Sequence, residues 1–365
     1  MDIQKREQLS RIVISGFKSI KYCDIDLRSI NVLIGANGSG KSNFISVFEM
    51  LQRVLERELA LYTGKKGISS VLYNGKESTD SITVELHFGD FVYSYELEWT
   101  DNDSLQFRAE SFCVSGKELL GGAGHRESIL LDALQKVWQD TNIPQMIANP
   151  GWRVYQFHNT SLSSRMKSEH NIANCKYLMG DASNLAAFLY RLRERFPKEY
   201  QKIVKTVQRV APFFKDFELE PREHNNEQIV LRWRQRDYDG ILMPSQLSDG
   251  TLRYICLATL LLQPLQLQPD VLIIDEPELG LHPYAITMLA ELVKKASANK
   301  QIILATQSVE LLDHFEAEDV IVVDKSDDGS VFRRLDSGEL AAWLDDDYSL
   351  GELWNKNIIG GRVTR

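Results

Sequence analysis

The sequence predicts an α/β fold, a mixed or parallel sheet flanked by helices, with an antiparallel β subdomain and a compact α+β insert. Three observations predict it. First, a glycine-rich loop joins an apolar strand, residues 30–34, to an amphipathic helix. Second, the run 271–274 is continuously apolar, which is typical of a strand buried in a parallel sheet. Third, residues 81–100 and 105–116 alternate apolar and polar positions, which indicates antiparallel strands.

Composition limits the class of protein. The 365 residues are 43% hydrophobic, enough for a substantial buried core. A net charge of -9 does not favour general attraction to phosphate backbones. The chain has no apolar run of about 18 residues and begins without an apolar leader, so we expect a cytoplasmic protein with no membrane partner. The four cysteines lie far apart and suggest neither zinc nor a disulfide framework.

The glycine loop satisfies the pattern G-x-x-x-x-G-K-[ST] over residues 35–42. Such a P-loop wraps its backbone N–H groups around phosphate at a helix N-terminus. Lys41 is predicted to reach the β- and γ-phosphates, and the Ser42 hydroxyl to help hold Mg²⁺. The predicted nucleotide-binding residues of this stretch are Gly35, Asn37, Gly38, Ser39, Gly40, Lys41, Ser42 and Asn43.

The strand over residues 271–274 delivers two acids at its carboxyl end. We expect Asp275 to hold the magnesium through its water shell and Glu276 to polarise an attacking water as general base. Glu276 and Lys41 are therefore the predicted catalytic residues. A solvated acidic turn is the alternative interpretation of the pair.

The segment QLSDGTLRYICLATLLLQP, residues 246–264, begins an amphipathic helix with Ser248. Ordinary helix capping by serine is one interpretation. However, LSDGT resembles the signature motif of ABC-type ATPases, and GLHP after the acidic strand resembles their D-loop region. The resemblance implies that Ser248 and Gly250 contact the γ-phosphate of ATP bound by another subunit. It therefore implies a homodimer with shared ATP sites, with a higher oligomer left open.

The strand over residues 301–308 ends in ATQS. Related ATPases usually carry a histidine that senses the γ-phosphate where this sequence has Gln307. Glutamine can donate a hydrogen bond but cannot carry the charge of an imidazole. We therefore expect slow or differently controlled hydrolysis.

The opening RIVISGFKSIKYCDIDL predicts two short strands around Phe17, Lys18 and Ser19. It resembles the opening of the repair and chromosome-maintenance ATPases, including RecF-type and overcoming-lysogenization-defect (OLD) proteins. The resemblance implies that Lys18 lies near the nucleotide, whereas a surface lysine in a turn is the alternative. Residues 152–166 predict a strand entering a polar loop, where related ATPases place a glutamine against magnesium.

Gln156 is the candidate for that glutamine, although His158 and Asn159 are equally well placed in the sequence. About two hundred residues separate the P-loop from the signature, and no sustained heptads occur there, so the insert is predicted to be compact. It includes a helix at 127–139 and a helical lobe at 181–211. We predict three segments: the N-terminal head with the P-loop at 1–75, the insert at 76–225, and the C-terminal head at 226–365.

Residues 319–335 predict a hairpin with an Asp-Gly turn, in which Asp324, Asp327 and Asp328 belong to the hairpin rather than to a metal site. OLD nucleases carry a Toprim nuclease domain after the head, and the sequence leaves no room for one. We therefore expect any effector, a nuclease or toxin, to be encoded separately.

The chain most resembles compact bacterial ATPases associated with anti-phage defence. The resulting hypothesis is an ATPase whose dimer closes around ATP and gates an effector or a DNA transaction. A RecF-like DNA-repair ATPase and an ATP-clamped scaffold with little hydrolysis are the alternatives. A transporter subunit fits least, because of the opening segment and the long insert.

Overall fold

The computed structural model describes residues 8–129, 151–221, 225–345 and 348–362. The chain divides into two compact units. We call Met1–Arg153 with Glu316–Arg365 the P-loop unit, and Val154–Phe315 the signature unit. The helix predicted at 127–139 falls almost entirely outside the described residues. The three-segment division at residues 75 and 225 stays a prediction.

The P-loop unit contains a six-stranded antiparallel sheet. Its strands, in spatial order, are Ile20–Asp26, Arg11–Phe17, Ser81–Phe88, Phe91–Trp99, Leu105–Val114 and Lys117–Leu120. Ile12 pairs with Leu86, so the predicted meander continues the N-terminal hairpin within one sheet. Alternate residues of Ser81–Phe88 are buried, as the polar alternation of the sequence predicts.

A second group of strands in this unit carries the glycine loop. Strand Ile30–Ile34 is buried along its whole length and pairs in parallel with Val320–Ser326. Val320–Ser326 in turn pairs antiparallel with Gly329–Arg334, which confirms the predicted hairpin. The helices that the structure describes in this unit are Lys41–Leu55, Leu59–Lys66, Ser337–Asp345 and Leu350–Asn355.

The helix after the glycine loop, Lys41–Leu55, buries the apolar face that its 3.6-residue spacing predicts. Phe44 lies at the centre of this face, with its ring centroid 5.7 Å from that of Phe48 and 5.3 Å from that of Phe332. The contact with Phe332 fixes the helix against the Gly329–Arg334 strand. The core of the unit therefore lies directly beneath the loop.

The signature unit contains two parallel strands, Val271–Asp275 and Gln301–Thr306, and every residue of both is buried. Parallel neighbours need a crossover, which the helix Pro283–Ser297 supplies. The other helices are Leu185–Arg195, Pro197–Val210, Asp249–Leu262 and Val309–Leu312. The unit's other strands within the described residues are His170–Asn171, Phe214–Glu218, Gln228–Ile229, Arg232–Gln235 and Ile241–Leu242. Strand Trp152–Tyr155 begins in the last two residues of the range 1–153 and ends in the signature unit.

The predicted helical lobe forms the two helices Leu185–Arg195 and Pro197–Val210. Its apolar stripe is completely buried and belongs to the core, as predicted; the stripe consists of Leu185, Phe188, Leu189 and Leu192. Across the part of the chain that the structure describes, no helix is long and apolar enough to cross a membrane.

Candidate functional site

At two positions of the glycine loop, the backbone has a conformation that only glycine adopts readily. Gly38 and Gly40 have φ values of 79° and 121°, in the left-handed half of the backbone map. A Cβ on Gly35 would overlap the backbone oxygen of Val323, so the loop also packs closely against the strand Val320–Ser326. The helix that follows begins at Lys41 without a side-chain cap, which leaves its first N–H groups for an anion.

Lys41 is buried and lies across the loop that precedes it. Its Nζ donates to the carbonyl oxygens of Gly35, at 2.6 Å, and Ala36, at 3.1 Å. Ser42 is exposed on the first turn, and Asn37 and Gly38 are exposed at the tip of the loop. The arrangement places one ammonium group and several backbone donors in the same loop.

The C-terminal segment holds the start of the loop. The N–H of Ala36 donates to the Gly361 oxygen at 2.6 Å, and the N–H of Gly361 donates to Oδ1 of Asp324 at 2.6 Å. Asp327 and Asp328 form the turn, one residue before the predicted Asp-Gly pair, because Gly329 already begins the second strand. Asp324 lies within the strand Val320–Ser326. The sequence interpretation missed this role of Asp324, because its partner is 37 residues away.

Lys18 lies in the turn between the first two strands, with a φ of 49°. Its N–H donates to Val71, and its Nζ lies 5.5 Å from the ring centroid of Phe17. Burial, and secondly the charge of Lys66, lower the pKa of Lys18 below its ordinary value. The next residue, Ser19, accepts a hydrogen bond from Asn43 at 2.7 Å, which joins this turn to the P-loop helix.

In the signature unit, Asp275 ends its strand with only 6% of its surface exposed. Gln156 donates from Nε2 to Oδ2 of Asp275 at 3.2 Å. His158 places Nε2 3.0 Å from the backbone oxygen of Asp275, whereas Asn159 accepts from Ser161 in its own loop. Of the three alternatives in this segment, Gln156 is the one that contacts the Asp275 carboxylate.

Glu276 has a φ of 44°, a strained conformation for a residue other than glycine. Such strain concentrates at functional sites. Its Oε1 accepts a hydrogen bond from Nε2 of Gln307 at 2.9 Å, and its Oε2 lies 3.9 Å from Nε2 of His158. The Glu276 carboxylate therefore lies between Gln307 and His158.

Glu278 is a residue that sequence reasoning missed. Its Oε1 accepts from the Thr306 hydroxyl at 2.6 Å and from the Gln307 N–H at 3.2 Å. Burial raises the pKa of Glu278 above its ordinary value. Glu278 therefore fixes the backbone of Gln307, and the side chain of Gln307 in turn positions Glu276.

Ser248 caps the signature helix, because its Oγ accepts from the Thr251 N–H at 3.1 Å. The side chain is nonetheless exposed, as is that of Asp249. A Cβ on Gly250 would overlap the backbone oxygen of Gly280. The signature glycine is therefore required for close contact with the loop that follows the acidic strand.

Arg253 lies one turn further along the signature helix and is only 5% exposed. Its guanidinium donates to the carbonyl oxygens of Phe157, at 2.9 Å, His158, at 3.1 Å, and Leu279. Burial lowers the pKa of Arg253. The only sequence signal for this role was a charged residue in a helix that is otherwise apolar on nearly every face.

Residues 30–313 match the family model described as "AAA domain, putative AbiEii toxin, Type IV TA system". The match covers more than half of the chain. The chain belongs to this AAA domain family.

The AAA domain chain is similar to three curated proteins. It is 23% identical to the Old nuclease of Escherichia phage P2 over 369 residues, which cover 91% of the chain and 62% of that protein. It is 32% identical over 117 residues to a "Putative ABC transporter ATP-binding protein" of Methanosarcina acetivorans, covering 32% of the chain and 38% of that protein. Over 44 residues, 12% of each chain, it is 50% identical to the DNA replication and repair protein RecF of Vibrio campbellii. The chain thus spans less than two thirds of each relative.

Among solved structures, the AAA domain chain resembles SMC heads. One is an SMC head bound to the C-winged helix domain of ScpA, with a TM-score of 0.61, 17% identity, and coverage of 92% of this chain and 99% of that one. Another is an SMC head bound to the C-terminal domain of ScpA derived from Pyrococcus furiosus, with a TM-score of 0.60, 14% identity, and coverage of 93% and 99%. These likenesses confirm the predicted ABC-type fold. With the family match and the relatives, they also confirm the resemblance to SMC, RecF and OLD ATPases.

Proposed function

We propose that the protein binds ATP with Mg²⁺, dimerises around the nucleotide, and hydrolyses it to gate a partner or a DNA transaction. The observation that carries the proposal is that two adjacent carboxylates, Asp275 and Glu276, each accept a hydrogen bond from a different glutamine. Gln156 contacts Asp275, and Gln307 contacts Glu276. This separation supports one acid for the metal and the other for the attacking water.

The P-loop fits a nucleotide phosphate. Its glycines permit the tight turn, and the carbonyl contacts of Lys41 are ones that phosphate oxygens can replace with stronger, charge-assisted bonds. Lys18, Asn37, Ser39 and Asn43 complete the proposed nucleotide-binding residues of this unit. Lys18 is half-buried, so a phosphate nearby would restore favourable surroundings for its charge.

The donor set also fits Mg²⁺. Within the described ranges, no three His, Cys, Asp or Glu side chains group into a metal cage. Mg²⁺ commonly binds with one or two protein oxygens, waters and substrate phosphates instead. We propose that Ser42 and Asp275 supply the protein oxygens, with Gln156 as a further contact. When bound, the metal neutralises negative charge on the phosphates.

Exposed side chains near the start of the signature helix, Asp249–Leu262, support a dimer. Ser248 is exposed at the N-terminus of this helix, and Gly250 abuts the loop that carries Leu279. Leu279 is 44% exposed and Tyr284 is 51% exposed, which leaves apolar surface beside the signature. A second copy of this chain is the partner we propose for that surface, with Ser248 and Gly250 facing the nucleotide of the other copy.

Closure and opening of the dimer would be the output. A nucleotide can shift such an equilibrium only by contacting the two states differently, and a γ-phosphate shared by two chains meets that condition. Similarity to the Old nuclease supports a role in anti-phage defence with a nuclease or toxin effector. The short match to RecF supports the alternative of DNA repair, in which DNA would stimulate hydrolysis.

Phosphate release by the wild type and by Glu276→Gln tests the enzyme proposal. We expect the variant to bind ATP but to turn over at least about 100-fold more slowly, because it loses the general base. Glu291→Gln, an exposed change on the helix Pro283–Ser297, is the matched control and should retain the wild-type rate. Equal, negligible rates in wild type and Glu276→Gln would overturn hydrolysis.

That outcome would favour a scaffold clamped by ATP. The bond from Gln307 to Glu276 is the observation that favours this second candidate, since it occupies one oxygen of the proposed base. Nucleotide-dependent dimerisation without phosphate release would establish it.

A further inference from the structure

The second strand of the C-terminal hairpin contacts the P-loop backbone. Ser330 is the second residue of Gly329–Arg334 and is 4% exposed. A Cβ on Gly40 would overlap its hydroxyl oxygen. The N–H of Ser330 also donates to the backbone oxygen of Ser19 at 2.7 Å, so this serine lies between the N-terminal turn and the P-loop.

Four side-chain and backbone groups form a chain of hydrogen bonds through Ser330. Asn43 Nδ2 lies 2.7 Å from Ser19 Oγ, Ser19 Oγ lies 2.7 Å from Ser330 Oγ, and Ser330 Oγ lies 2.6 Å from the Ser39 oxygen. A carbonyl oxygen can only accept, so the single hydroxyl proton of Ser330 goes to Ser39. Ser19 must then donate to Ser330, and Asn43 donates to Ser19.

The hydrogen bond from Ser330 to the Ser39 oxygen fixes the orientation of the peptide group between Ser39 and Gly40. The described residues contain no cis peptide bond, so the N–H of Gly40 points opposite to the Ser39 carbonyl. With that carbonyl bound to Ser330, the Gly40 N–H is directed away from the hairpin. Gly40 has a φ of 121°, and glycine permits many backbone conformations, so an outside contact is needed to select this one.

We propose that Ser330 is a positioning residue for the nucleotide phosphates, acting through the Ser39–Gly40 peptide. The inference rests on the proposed ATP binding. Its physical content is pre-organisation: the hydroxyl holds a loop donor in its binding orientation before the phosphate arrives. An ordinary core serine would affect stability but not this orientation.

The matched pair Ser330→Ala and Ser326→Ala tests the inference. Ser326 is exposed at the end of the first strand of the same hairpin, and its hydroxyl donates to the backbone oxygen of Gly329 within that hairpin. For Ser330→Ala we expect the Kd for ATP and the KM to rise about tenfold while kcat changes less than about twofold, because ground state and transition state lose the same contact. Ser326→Ala should match the wild type.

The two possible failures are distinguishable. If wild type and Ser326→Ala both fail to bind ATP, the proposed function is wrong and the inference falls with it. If the wild type binds ATP and Ser330→Ala binds it equally well, only the inference is overturned. A variant that loses kcat but keeps its nucleotide affinity also contradicts a positioning role in binding.

A second variant, Ser19→Ala, keeps the inference testable if Ser330→Ala does not fold. Ser19→Ala removes the donor to Ser330 and the acceptor for Asn43, so it should weaken ATP binding in the same direction. Where both single variants fold, the double variant should bind no more weakly than the weaker single one, because the groups act as one chain. Fully additive losses, or an unchanged Kd in Ser19→Ala, would overturn the inference.

Discussion

The side-chain amide of Gln307 lies 2.9 Å from Oε1 of Glu276 and donates a hydrogen bond to it. The residue at this position in related ATPases is usually a histidine, whose charge responds to pH and to phosphate. An amide stays neutral across the physiological range, so this contact orients the carboxylate without titrating. The two residues form one positioned group in the proposed site.

Removing the amide should therefore affect the chemical step more than binding. We expect Gln307→Leu to lower kcat about tenfold with little change in the Kd for ATP, since one hydrogen bond to a charged group is lost. Gln307→His should restore part of kcat and make it depend on pH near 6.5, where an imidazole titrates. Steady-state hydrolysis from pH 5.5 to 8 measures both effects, and a fully active Gln307→Leu would contradict the assigned role.

Glu278 should make stability depend on pH in a defined direction. Burial raises its folded pKa above the ordinary 4.5, so the folded protein binds the proton more tightly than the unfolded chain does. Its contribution to the free energy of unfolding therefore increases as pH falls through the folded pKa toward 4.5, and is lost as pH rises. Urea unfolding of wild type and Glu278→Gln at several pH values checks this. As pH rises, the wild type should lose stability relative to Glu278→Gln. A stability difference that does not change with pH, or a wild type that gains stability over the variant as pH rises, would be inconsistent.

Arg253 should be important for stability as well as for the site. Arg253→Met keeps much of the volume but leaves the carbonyl oxygens of Phe157, His158 and Leu279 without this donor. We expect a loss of about 3 kcal/mol in the free energy of unfolding. Arg209→Met, an exposed change on a neighbouring helix, should cost less than about 0.5 kcal/mol. Similar denaturation midpoints for both variants would refute the burial account.

Gly250 tests the contact between the signature and the loop after the acidic strand. In Gly250→Ala the added methyl overlaps the backbone oxygen of Gly280, which cannot rotate away. The first turn of the helix Asp249–Leu262 should therefore move away from Gly280. We expect ATP-dependent dimerisation to be lost. Gly64→Ala is the control, since its site is open and helical, and alanine there should be neutral or stabilising. Sedimentation with ATP distinguishes the variants, and normal dimerisation of Gly250→Ala would count against the proposed interface.

The sequence predicted the local elements well, because each depends on residues adjacent in the chain. The strand Ile30–Ile34, the helix after it and the acidic strand follow from apolar periodicity and glycine chemistry. The cap by Ser248 follows from the preference of serine for that position. The antiparallel meander likewise follows from simple alternation.

The long-range supports could not be predicted in the same way. Ser330 contacts the P-loop across 291 residues, and serine after a turn gives no signal of its partner. Arg253 contacts carbonyl oxygens, which every residue carries, so no side-chain pattern reveals it. Pairing of the meander with Arg11–Phe17 depends on the whole sheet rather than on either segment. The choice of Gln156 among three polar neighbours needed the position of Asp275.

The shared site is the central claim, and mixing two inactive variants tests it most directly. Lys41→Ala removes the phosphate-binding lysine, and Ser248→Arg blocks the signature. Random pairing of equal amounts gives heterodimers in about half of the dimers, each with one intact composite site, so we expect about a quarter of the wild-type ATPase rate. A mixture that remains as inactive as either parent, although the two chains are shown to associate, would contradict the shared-site account.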